Sequence, residues 1–148
     1  MKTHGVSKAT DMIKGYTAAV LRGVRVLVEE YAYRLVRLAK LRVPVDMGDL
    51  RSDIKSRLTK TADKVVAAVT AGQGLPEPDR AAWVEFGTGP NVEVNDFPAA
   101  LESYAMQFYR TGKGTMQPQP YLFNSFEQIW RDFVSDVDHL AQTGEVPT

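Results

Sequence analysis

The chain has 148 residues, with 18 basic side chains balancing 18 acidic ones. It has no cysteine, and His4 and His139 lie near its ends, which excludes disulfide staples and thiolate chemistry and leaves little for histidine catalysis or a multi-histidine metal site. Hydrophobic content of 44% suits a single folded domain, and the best uncharged apolar run, Val65 to Val69, is far below the ~18 residues of a membrane span.

Residues 1–9 show no apolar period and read as a flexible arm. From Thr10 to Val43, apolar residues recur every three or four positions, from Met12, Tyr16 and Val20 through Leu27, Tyr31, Leu35 and Leu38. This predicts an amphipathic helix, ended by Pro44, which disfavours the α conformation at Val43. At ~1.5 Å per residue it is about 50 Å long, more than a domain of this size covers. Gly15 and Gly23 interrupt it. Two readings stay open: one overlong helix packed on a neighbouring subunit, or two shorter helices folded onto the core.

Asp46 is placed to cap a short helix carrying Leu50 and Ile54. Residues 55–61 and 64–70 read as strands of an antiparallel hairpin turning at Ala62-Asp63. After a loop rich in glycine and proline, Asp79 is the expected cap of a helix from Arg80 to Phe86, stopped by Gly87 in a left-handed conformation. Asp96 and Pro98 open a further predicted helix reaching Tyr109. The last helix is marked by Leu122, Phe126, Ile129, Phe133, Val137 and Leu140, and a loose tail follows from Thr143. The expectation is α+β: a long N-terminal helix and an amphipathic C-terminal helix packed on a small antiparallel sheet, as one domain over residues 10–142.

Charge is unevenly placed. Residues 1–60 hold 13 lysines and arginines against 6 acids, whereas residues 61–148 hold 5 against 12. The halves attract, either within one molecule or between neighbours in an assembly.

The chemistry-bearing residues form no catalytic set. Asp46, Asp49 and Asp53 fit a solvated helix N-terminus better than a metal site. Glu85, the one carboxylate in an apolar stretch, has no base or nucleophile beside it and is expected to bond backbone near the 87–89 turn. Thr111-Gly-Lys-Gly-Thr115 has the outline of a phosphate loop but not the spacing of one. No cofactor, metal or catalytic residue is assigned. Arg34, Arg37, Lys40 and Arg42 form a basic stretch able to line a DNA path, without any recognised nucleic-acid motif.

Three segments in order carry a resemblance: Ala39-Lys-Leu-Arg-Val-Pro-Val-Asp-Met-Gly-Asp-Leu-Arg-Ser-Asp-Ile54, Ala82-Trp-Val-Glu-Phe-Gly-Thr-Gly89 and Gln117-Pro-Gln-Pro-Tyr-Leu122. Together they resemble the small phage tail-completion proteins of long-tailed phages, also described as minor tail, neck or head-to-tail joining proteins. Met47 stands where that family usually has Thr, Asp53 where it has Ser, and Asn124-Ser125 where Pro-Ala is common. Residues 91–113 lie outside the resemblance.

The resemblance implies a non-enzymatic virion protein forming a sixfold ring at the head-proximal end of the tail. Its implied partners are further copies of itself, the head connector and the tail-tube or tail-terminator proteins, with DNA passing nearby and no membrane. The residues implied for turns and interfaces are Pro44, Asp46, Gly48, Leu50, Trp83, Glu85, Phe86, Gly87, Thr88, Gly89, Pro118, Gln119, Pro120, Tyr121 and Leu122. The alternatives are a non-catalytic factor or DNA-tolerant module acting transiently in assembly and, more remotely, a metal-dependent hydrolase using Asp46, Asp49 and Glu85.

Overall fold

The computed structural model describes residues 4–92, 99–111 and 114–148. The elements, in chain order, are α1 (His4–Arg42), α2 (Gly48–Asp53), β1 (Lys55–Lys60), β2 (Val65–Thr70), α3 (Arg80–Phe86), a 3-10 turn (Gly89–Asn91), α4 (Ala99–Thr111) and α5 (Phe123–Thr143). The fold is α+β, as expected. The predicted cap at Asp96 and first turn at Pro98 lie outside the described residues.

Helix α1 runs unbroken through both glycines and begins at His4, ahead of the expected Thr10. Its 39 residues span about 58 Å. Gly15 faces open space, whereas Gly23 is the point at which Leu140 of α5 approaches most closely. A Cβ there would lie 2.5 Å from a Leu140 methyl, so glycine lets the helices touch. The helices run antiparallel: Arg42 bonds Gln128 near the start of α5, and the Tyr16 hydroxyl donates to the Ala141 carbonyl near its end. The apolar stripe of α1 is buried from Leu27 onward, while Met12 and Tyr16 are exposed.

Between these ends the Tyr31 hydroxyl donates to Asp136 Oδ2 at 2.7 Å, and its ring meets Phe133 edge-on. Burial, then the Asp136 hydrogen bond and charge, push the Tyr31 phenol up to about 12. An unfolded tyrosine ionises near 10, so between pH 10 and 12 the folded state holds the proton more tightly. Stability from this group is complete below pH 10 and is lost as pH rises through about 12. Tyr31→Phe is expected to cost about 1 kcal/mol at neutral pH and to flatten that alkaline fall, read by urea melts at a series of pH values.

The hairpin pairs Lys55 with Thr70 through Lys60 with Val65, each strand ending one residue sooner at the turn than expected. It lies along α1, where Arg25 donates to the Thr61 and Ala62 carbonyls at 2.7 and 3.1 Å and Glu29 pairs with Lys60 at 3.0 Å. Three apolar clusters fill the interior. Leu27, Tyr31 and Leu140 hold α1 to α5, and Val146 packs there beyond the Gly144 turn. Ala39, Val43, Leu50, Ile54, Val84 and Tyr121 join α1, α2, α3 and the approach to α5. Phe86, Ala105 and Phe108 join α3 to α4.

Two expected caps need correction. Asp46 is exposed, and α2 starts two residues later, behind Met47, whose N–H bonds the Pro44 carbonyl in a preceding turn. Asp79 does sit at the start of α3, but its backbone is already helical and its side chain makes no cap hydrogen bond.

Candidate functional site: a junction of three motifs

The 39–54 segment turns the chain from α1 into α2. Val43 and Leu50 are buried, Pro44 is half-buried, and Gly48 faces open space. Arg51 reaches back to the Val43 carbonyl at 3.0 Å and so satisfies one of the last carbonyls of α1. Asp49 accepts from the Leu50 N–H and pairs with Arg80 of α3 at 2.7 Å. Asp53 is buried; its Oδ1 accepts from the Gly74 N–H at 3.0 Å, so it pins the 72–78 loop. A Cβ at Gly74 would lie 2.3 Å from that oxygen. The three aspartates therefore point at different partners. Among the described residues, no group of three or more histidines, aspartates or glutamates is placed to hold a metal ion.

The second and third segments are hydrogen-bonded together along their length. The Gln119 N–H donates to the Val84 carbonyl at 2.7 Å. Thr88 and Met116 exchange two bonds: the Thr88 N–H donates to the Met116 carbonyl at 3.0 Å, and the Met116 N–H donates to Thr88 Oγ1 at 2.9 Å. Asn91 donates to the Thr115 carbonyl, and the Tyr121 hydroxyl to that of Ala81. Gly87 has φ 82° and ψ −176°, a positive-φ conformation as expected but extended in ψ rather than left-handed helical. Pro118 and Pro120 are half-buried, Gln119 is exposed, and Trp83 and Leu122 are half-buried beside buried Phe86, Gly89 and Tyr121.

Glu85 is the centre of this junction. Only 3% exposed, it accepts from the backbone N–H groups of Tyr121, Leu122 and Phe123, each at 2.9 Å. A carboxylate from α3 thus caps α5, at the helix end where negative charge is favoured. Burial raises the Glu85 carboxyl above the usual range, and the three N–H groups pull it back. The expectation of a backbone hydrogen bond holds, but the partner is the third motif and not the 87–89 turn. Both of its oxygens are engaged by these backbone groups, Oε2 by two and Oε1 by one.

The basic stretch divides. Arg34 pairs with Glu30 and lies 4.8 Å over the Tyr31 ring, and Arg42 is tied to Gln128 and Ser125. Arg37 and Lys40 carry no ion pair among the described residues and flank an open depression with Tyr33, Leu41 and Arg51. Sequence reasoning missed Arg80, Asp53 with Gly74, and the Arg42–Ser125–Gln128 contact. Each joins elements far apart in the chain, and no local spacing encodes it.

No curated protein and no solved structure matches the chain. Among the described residues, no helix is long and apolar enough to cross a membrane. A protein-family match covers residues 9–87, which holds the first segment and the second as far as Gly87, while the third reaches that region through Glu85 and Val84. This match takes in more than half of the chain, which therefore belongs to the HK97-gp10-like family, described as "Bacteriophage HK97-gp10, putative tail-component".

Proposed function

We propose that this tail component is a ring-forming subunit at the head-proximal end of a phage tail, where it completes the tail and presents a surface to the head connector. The observation that carries the reading is an apolar stripe on α5. Phe126, Trp130 and Val134 follow one another at four-residue spacing, and all three stay 40–46% exposed. Exposed apolar side chains lined up on one helix face are what an interface leaves behind in an isolated subunit.

Charge supports the same reading. Among the described residues, no ion pair joins a base of the first half to an acid of the second. Of the four ion pairs among the described residues, three lie within residues 1–60. The fourth joins Arg80 to Asp49, each carrying the minority sign of its half. The excess charge is thus available to neighbours, as head-to-tail contacts around a closed ring require. Arg37 and Lys40 give such a ring tolerance of passing DNA without sequence recognition.

Purified virions are expected to contain the chain at a fixed multiple of the connector protein, with a ring of it in electron micrographs of isolated necks or tails. A chain found only in assembly intermediates supports the transient-factor alternative instead. Its absence from intact particles overturns the proposal.

A further inference from the structure

Resting on the ring reading, we infer that copies join edge to edge through the hairpin, the β1 strand of one lying along the β2 strand of the next. Among the described residues the sheet has only these two strands, so each keeps one edge with no strand beside it. A two-stranded sheet is marginal alone, and an open edge is a template for further pairing.

The two edges differ, and they differ in complementary ways. Beside β2 lies an open apolar groove of about 150 Å³, floored by α1 and walled on its far side by Phe126, Ile129 and Trp130 of α5. Ala67 and Val69 of β2 line it, and no residue of β1 does. The exposed Phe126 and Trp130 are part of this wall, so a strand laid along β2 covers the apolar residues that the single chain leaves open.

Strand β1 supplies what the groove lacks. It carries Lys55, Arg57 and Lys60, all exposed, and Arg57 has no ion-pair partner among the described residues. Its one half-buried residue, Leu58, pairs with Ala67 and therefore sits on the face turned toward α1. Laid beside a neighbour's β2, such a strand presents Leu58 to the apolar floor, while Lys55 and Arg57 stay on the outer face with Thr59. The occupant is thus a second copy of this chain.

Strand polarity is satisfied as well. With the strands running along the ring axis, copies related by rotation about it keep every β1 in one direction and every β2 in the other. A β2–β1 contact between copies is therefore antiparallel, like the contact within each copy. The contact is heterologous, so it closes into a ring once the rotation per copy divides a full turn.

The chain has no cysteine, which makes the test direct. Four single variants of the full chain, Arg57→Cys, Thr59→Cys, Val66→Cys and Ala68→Cys, lie on the face turned away from α1. Tails are assembled from equal mixtures of one β1 variant with one β2 variant, then treated with a thiol cross-linker reaching ~8 Å, the span of opposed and diagonal positions. The expected result is a covalent dimer in at least one of the four mixtures, absent when either variant is used alone. If an amine-reactive cross-linker joins copies in those tails while no thiol mixture gives a dimer, the hairpin contact is overturned and the ring reading stands. If copies are present in tails and never joined to one another, or are missing from tails, the ring reading falls and the contact falls with it.

Discussion

Replacing Gly87 by valine is expected to abolish the native fold of the 80–123 region and, with it, incorporation into tails. The backbone at Gly87, φ 82° with ψ −176°, lies in a region that only glycine occupies readily. Space is the second obstacle. A Cβ would sit 2.8 Å from the Asn91 carbonyl oxygen, 3.0 Å from that of Met116 and 3.1 Å from Pro118 Cδ. Two of these are backbone atoms, of residues held by the Thr88–Met116 and Asn91–Thr88 bonds, and they cannot swing aside as a side chain can. Conformational strain of ~1–3 kcal/mol and overpacking of similar size together reach about 4 kcal/mol, a large share of a domain's total stability. Gly15→Ala is the matched comparison: that site is helical and open, so it should be neutral or stabilising by up to ~1 kcal/mol. Urea unfolding of both variants decides the matter. A Gly87→Val protein that melts with the wild type removes the argument that this turn is glycine-specific.

The periodic parts of this fold were legible in advance, and the long-range polar ones were not. Helix α3 falls on the expected Arg80–Phe86, and the hairpin is shorter by a single residue at the turn end of each strand, because apolar spacing and glycine punctuation are local signals. Between the two readings of the first helix, the structure selects the unbroken one. The cost of Gly23 within α1 is offset by the close approach of Leu140, a contact with a residue more than a hundred positions away. Capping failed for a related reason. A short aspartate before a helix is a local signal, but the Pro44–Met47 turn moved the start of α2 past Asp46. The aromatic residues of α5 have the spacing of a core, and the period could not reveal that Phe126 and Trp130 stay partly open. For Glu85, composition pointed to burial and a backbone partner. The identity of that partner depends on a strand of chain 36 to 38 residues further on.

That dependence makes Glu85 the sharpest test of how the junction works. If the carboxylate caps α5 from outside the helix, its removal strands three N–H groups at once, the Tyr121 one in a buried setting. Glu85→Gln keeps the shape but offers one acceptor oxygen where two were used, and turns an amide donor toward backbone donors. Each unmet buried donor costs about 1–3 kcal/mol, so Glu85→Gln is expected to lose about 3 kcal/mol, and Glu85→Ala more, since it also opens a cavity beneath Tyr121. The loss should be local before it is global. Amide hydrogen exchange at 121–123 and along the first turn of α5 should speed up in the glutamine variant, while protection in the β1–β2 hairpin, which Glu85 does not touch, stays as in the wild type. Because Phe126 and Trp130 lie within the first two turns of the helix that Glu85 caps, the same variant should also lower incorporation into tails. A glutamine variant within about 0.5 kcal/mol of wild type, with unchanged exchange at 121–123, would show that α5 holds its own N-terminus and that burial of Glu85 serves something other than capping.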